Sequence, residues 1–279
     1  MVFPGRRRDV GSTTVSPRRR TVLVAAAVAV VAILTTALLW RPGTRGTNLV
    51  PQDRPGPVLL VPGYGGNPSS LMALASALRQ GGREVTVVEL PGDGTGDLRV
   101  QAGRVRAAAD QARAAGAPSV DVVGYSAGGV VTRIWAAQFG GSAIARRVVT
   151  LGSPHHGTTV AELGAALAPA SCPLACRQLV PDSELLDELD ETPDGAVWTS
   201  VWTAVDETVT PPESAKVEGG LDVELQRICP DARTTHGQLP RDPLVIGLVI
   251  RALAATPLTA VPPPEQCERL RARGTALLS

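Results

Sequence analysis

Gly124-Tyr125-Ser126-Ala127-Gly128 follows directly on the apolar run Ser119 to Val123 and opens the helical-period stretch Gly129 to Phe139. A G-x-S-x-G pattern between a strand and a helix predicts a tight turn with the serine hydroxyl exposed at its tip. The serine must adopt strained backbone angles there. Strand and helix can approach closely enough to form the turn only if the residues two before and two after it lack bulk. Gly124 and Gly128 supply that room. The flanking strand and helix distinguish this pattern from a chance glycine-serine turn, and they point to a nucleophile.

The rhythm around the turn is regular. Pro57 to Val61, Glu84 to Leu90, Ser119 to Val123, Arg147 to Leu151, Thr199 to Val205 and Asp222 to Gln226 are short β-branched or leucine-rich runs, most of them separated by helical-period segments. Leu98, Ala102, Val105, Ala109 and Ala112 share one face of a helix whose other face carries Arg99, Arg104, Arg106, Asp110 and Arg113. Near-continuous apolar strands joined by such helices predict an α/β fold, with about six mostly parallel strands buried on both faces. Between Thr158 and Val197 the alternation lapses. The acidic residues from Asp182 to Asp194 lack the spacing of a calcium loop and read as a solvated face. Ala161 to Leu167 either borders a substrate mouth or packs on the core.

Arg6, Arg7, Arg8, Arg18, Arg19 and Arg20 against Asp9 give the first twenty residues a charge of +5, so a total of +1 leaves the remainder at −4. Nucleic acid is not an expected partner. Thr21 to Trp40 carries no charge and, at ~1.5 Å per residue, can cross the ~30 Å hydrocarbon layer of a membrane. The arginines ahead of it predict a cytoplasmic N-terminus and an extracytoplasmic domain. Thr35-Thr36-Ala37 keeps open the alternative of a cleaved signal segment. The expected organisation is a basic cytoplasmic N-terminus (1–20), a transmembrane anchor or signal segment (21–40), a Pro/Gly/Arg-rich linker (41–56), one α/β domain (57–255) and a C-terminal tail (256–279). Four cysteines fit an oxidising compartment, and Cys172 with Cys176 and Cys229 with Cys267 is the favoured of three pairings. A zinc site is disfavoured because no C-x-x-C pair occurs.

A serine hydroxyl needs a base to become a nucleophile. Among the three histidines, His236 lies beyond the sixth strand, as the order serine, acid, histidine requires. His155 and His156 read as a structural turn beside the site. Asp206, just past the fifth strand, is the expected acid; alternation turns its neighbour and rival Glu207 the other way. Charge on a tetrahedral intermediate calls for two fixed donors, expected to be the amides of Ala127 and of Tyr64 in the glycine-rich turn Pro62 to Asn67. Those glycines do not read as a phosphate loop, since no lysine and Ser/Thr pair follows.

Val61-Pro62-Gly63-Tyr64-Gly65-Gly66-Asn67, Val123 to Gly129, Thr150 to Thr158, Asp206 with Val209 and Pro211, and Thr235-His236-Gly237 together resemble the small bacterial secreted lipases of the α/β-hydrolase superfamily. The resemblance spans about residues 57 to 255. Pro62 departs from it, standing where many members have histidine. It implies a compact α/β-hydrolase core without a large cap domain, an exposed serine, and hydrolysis of acyl esters with no cofactor or metal. The expected partners are an acyl-ester or lipid substrate and, through the N-terminal helix, the membrane; a monomer is expected. Acyltransferases and thioesterases share this machinery, and a catalytically silent domain that binds lipid or cell wall is the alternative of a different class.

Overall fold

A computed structural model describes residues 50–278. The predicted anchor at 21–40 and most of the linker lie outside the described residues, among which no helix is long and apolar enough to cross a membrane. Six strands form one sheet: β1 (Val58–Val61), β2 (Val85–Val87), β3 (Val120–Tyr125), β4 (Ala145–Leu151), β5 (Val197–Trp202) and β6 (Leu221–Glu224). Their order is β2-β1-β3-β4-β5-β6, and every neighbouring pair is parallel. Each apolar run in the sequence became a strand. The ends moved by a few residues: β4 begins two earlier than Arg147, and β5 stops at Trp202 rather than Val205.

Alternation explains the layering. Val58, Leu60, Val123 and Tyr125 point into one buried cluster, while Leu59, Val61, Val120 and Val122 point into the other. The first cluster is closed by α1 (Met72–Gln80), the second by α2 (Leu98–Ala114) and α3 (Ala127–Gln138). A fully buried Val or Leu in such a core contributes on the order of 2 kcal/mol, so both faces resist opening. The excursion after β4 carries α4 (Thr159–Leu167), α5 (Leu174–Gln178) and α6 (Glu184–Asp187). After β6 come α7 (Leu225–Ile228), α8 (Pro243–Ala252) and α9 (Cys267–Thr275), with α9 packed on α8 and joining the first cluster through Leu270. The pairings are Cys172–Cys176, within the excursion, and Cys229–Cys267, which ties α9 to the end of α7.

Parallel strands send every following loop to one edge. The chain runs from β1 outward to β2 and then crosses back to β3, so the loops after β1 and β3 diverge at the reversal of strand order, where open α/β sheets hold ligands.

Candidate active site

Ser126 sits between β3 and α3 with φ 54° and ψ −130°, a left-handed conformation that costs a non-glycine residue about 1–3 kcal/mol. The two glycines make the turn possible. A Cβ on Gly124 would lie 2.5 Å from Gly129 Cα, and one on Gly128 would collide with the carbonyl oxygens of Val61 and Pro62. The turn is therefore wedged between its own helix and the end of β1.

His236 opens a 3₁₀ turn (His236–Arg241) that follows α7. Its Nε2 lies 3.0 Å from Ser126 Oγ and its Nδ1 lies 2.8 Å from Asp206 Oδ2. Among the described residues no other histidine ring is within hydrogen-bonding reach of Ser126. Asp206 is nearly buried and held in place from its other oxygen, Oδ1, which accepts from the amides of Thr208 at 2.9 Å and Val209 at 2.8 Å. With Nδ1 hydrogen-bonded to a carboxylate, the ring is set to present Nε2 to the hydroxyl as an acceptor. The stretch carrying His236 is braced at both sides: Thr235 and Gln238 form a capping box, and Thr234 Oγ1 donates to Asp242 at 2.6 Å, the residue that caps α8.

Ala127 is the first residue of α3, where an amide has no acceptor within its own helix. The glycine-rich turn lies against the serine, since a Cβ on Gly63 would lie 2.9 Å from Ser126 Cβ. Tyr64, the next residue, is 46% exposed and faces a cavity of about 220 Å³ that begins at Ser126. Val160, Ala161, Cys176, Leu179 and Val209 supply its apolar wall. The start of α4 thus borders the mouth, which the sequence left open.

His155 and His156 lie elsewhere. The His155 ring is buried beside Thr150 Oγ1 at 3.1 Å, and burial first, then the nearby Arg133 charge, holds it down at about 3, so it stays neutral. His156 Nε2 pairs with Glu191 at 2.9 Å, a hydrogen bond that raises the imidazole above its ordinary value. Glu191 also receives the buried Arg133 guanidinium at 3.3 Å. One member of the acidic stretch is therefore engaged in holding the loop after β4, while Asp182, Glu184, Asp187 and Glu188 are exposed as expected.

Sequence reasoning passed over two neighbours of this site. Gly152, at the end of β4, has φ 52°, and a Cβ there would lie 2.5 Å from Leu239 Cδ1, 3.1 Å from Asp206 Oδ2 and 3.2 Å from His236 Nδ1. A glycine directly after a buried strand was the available signal. Tyr125 lies beneath His236, with ring centroids 5.3 Å apart. Burial, with Asp206 and Glu207 nearby, pushes its phenol up to about 12, so it remains a donor.

A parallel sheet bearing a hydroxyl on a strained strand-to-helix turn, backed by an imidazole and a carboxylate from later loops, defines the α/β-hydrolase architecture. The alpha/beta hydrolase family matches this chain over residues 58–274, and the chain belongs to that family. No curated protein matches it in sequence. Among solved structures it is similar to Aspergillus fumigatus lipase B, at 20% identity and a TM-score of 0.61, covering 80% of this chain and 61% of that one. It is similar also to mature Bacillus licheniformis lipase BlEst2, at 17% identity and a TM-score of 0.59, covering 72% and 92%. A third is the ydeN gene product from B. subtilis, at 11% identity and a TM-score of 0.51, covering 70% and 97%. The chain thus spans about three fifths of the fungal lipase's length. At these identities the likeness is one of fold.

Proposed function

We propose that this protein is a serine carboxylic-ester hydrolase, an esterase or lipase, in which Ser126 is the nucleophile, His236 the general base and acid, and Asp206 the group that orients the base. The observation that supports this reading is the unbroken path from Asp206 through His236 to Ser126, at 2.8 and 3.0 Å, ending beside an apolar cavity. Ser126 Oγ attacks the ester carbonyl carbon while its proton passes to His236 Nε2. The carbonyl oxygen becomes an oxyanion, held by the amides of Tyr64 and Ala127. The intermediate collapses, the C–O bond to the alcohol breaks, and His236 returns the proton to the leaving oxygen. Water then repeats the sequence on the acyl enzyme, releasing the acid and restoring Ser126. The acyl chain lies in the cavity against Ala161, Leu179 and Val209, where its burial displaces water.

The same reading puts the enzyme, as a monomer, on the outer face of the cytoplasmic membrane, held there by residues 21–40. Two disulfides support an oxidising compartment. A fluorophosphonate probe is the direct test. It labels the wild-type protein and not S126A, and S126A has no turnover of a short p-nitrophenyl ester; an unlabelled wild type would instead support a silent binding domain. N-terminal sequencing of the exported protein, beginning at residue 1, tests the anchor.

A further inference from the structure

We infer that Glu207 and Tyr125 are positioning residues that clamp the main chain of His236 from opposite sides. This rests on the reading of Ser126, His236 and Asp206 as the catalytic groups. The Glu207 carboxylate accepts the His236 backbone N–H at 3.2 Å, and the Tyr125 hydroxyl donates to the His236 backbone carbonyl at 3.2 Å. Both main-chain polar atoms of the base are thus taken by side chains 29 and 111 residues away in sequence.

The origin of the two clamps carries the argument. Tyr125 is the covalent neighbour of Ser126, and Glu207 of Asp206. The turn that presents the nucleophile and the turn that presents the acid therefore each extend a second side chain to the backbone of the base. Nδ1 and Nε2 fix the ring relative to those turns, but a ring still pivots with its Cα. Catalytic geometry tolerates displacements of only about 0.5 Å. Fixing both ends of the His236 peptide ties its Cα to the same two turns, so the three groups move as one body. Arrangement within the turn explains why Glu207 is free for this. β5 ends at Trp202, so Glu207 lies in a turn, and strand alternation no longer governs its direction. Its side chain is exposed apart from this contact, which separates its role from core packing.

Steady-state hydrolysis of a short p-nitrophenyl ester by the full chain tests the clamp, with thermal melting run alongside. E207A should lower kcat about tenfold with KM unchanged and only a small fall in melting midpoint, since a single charge-assisted hydrogen bond at an exposed side chain is lost. E207Q, whose amide oxygen can still accept, should stay within about threefold of wild type. Y125F should lower kcat several-fold, and E207A/Y125F should fall short of the product of the two single losses, because the first cut already frees the loop. Wild-type kcat in E207A, a loss in E207Q equal to that in E207A, or a loss carried by KM would overturn the clamp. Failure of the underlying reading looks different: the wild type would then show neither turnover nor fluorophosphonate labelling, or S126A would retain both.

Discussion

At the carboxyl edge of the sheet Asp206 meets His236 at 2.8 Å, and at the amino edge Asp121 meets Arg146 at 2.5 Å. Both carboxylates are almost wholly buried, and each is paired with a nitrogen base. The surroundings differ. Asp121 Oδ2 also receives Arg83 at 2.6 Å, while Arg146 donates to the carbonyls of Leu253 at 2.7 Å, Ala254 at 3.0 Å and Gln52 at 3.1 Å. Arg83 reaches the carbonyl of Gly56 at 2.6 Å. These contacts strap the segment before β1 and the end of α8 to the base of β3 and β4. Both partners of Asp121 are guanidiniums, whose planar fork of donors holds a carboxylate and main-chain carbonyls in fixed geometry. At the carboxyl edge the chain of bonds ends on Ser126, whose hydroxyl has His236 as its hydrogen-bond partner among the described residues. Histidine can take and return a proton near neutral pH. One edge uses buried charge to fix the scaffold, and at the other the bonded chain stops at a single hydroxyl beside a cavity.

The contrast is broken most directly by exchanging one group at each edge. S126A should lower kcat/KM on the order of 10⁵-fold with the urea midpoint unmoved, since the side chain anchors nothing else. D121A should do the reverse, costing about 3–5 kcal/mol by leaving the Arg146 charge buried and unpaired, while each molecule still folded keeps its turnover. Urea unfolding and ester hydrolysis on the same preparations give both readings. A D121A protein inactive at temperatures where it remains folded would show the two edges to be one unit.

G152A probes the carboxyl edge alone. An added Cβ meets Leu239 and pushes between Asp206 and His236. We expect about a tenfold loss in kcat/KM and about 1–2 kcal/mol in stability, because a strained φ and a displaced acid arise together.

The smallest effect concerns Glu191. Burial pushes its carboxyl up, but the hydrogen bond from His156 and the charges of Arg133 and His156 outweigh this and hold it at about 2, from an ordinary value of 4.5. A depressed carboxyl stabilises the fold above its unfolded value, and that stability is lost as pH falls from about 4.5 toward 2. Since the side chain is 30% exposed, about 1 kcal/mol remains after solvent screening. Wild type should lose this increment across that window in urea titrations, and E191Q should not. Equal pH dependence of the two proteins would assign the acid sensitivity to other groups.

Much of the architecture was legible because its causes are local. A short, nearly continuous apolar run between turn residues marks a strand buried on both faces, so all six appeared at nearly their final positions, and glycines at 124 and 128 announce a turn through the space they leave. Ser126, Asp206 and His236 could be chosen because the chain order of this machinery limits the candidates, and the structure brings those three within hydrogen-bonding distance. Strand ends were less legible. Alternation said nothing of where β5 stops, and so misdirected the expectation for Glu207.

What the sequence determined by itself was the kind of sheet, the turn under Ser126 and the residue types at its carboxyl edge, all set by sterics and periodicity between near neighbours. Tertiary structure alone decided which groups meet across long separations: Tyr125 and Glu207 on His236, Gly152 under Asp206, and Asp121 between Arg83 and Arg146. Spacing along the chain carries no information about these meetings, because each depends on how loops from different strands fold over a shared edge.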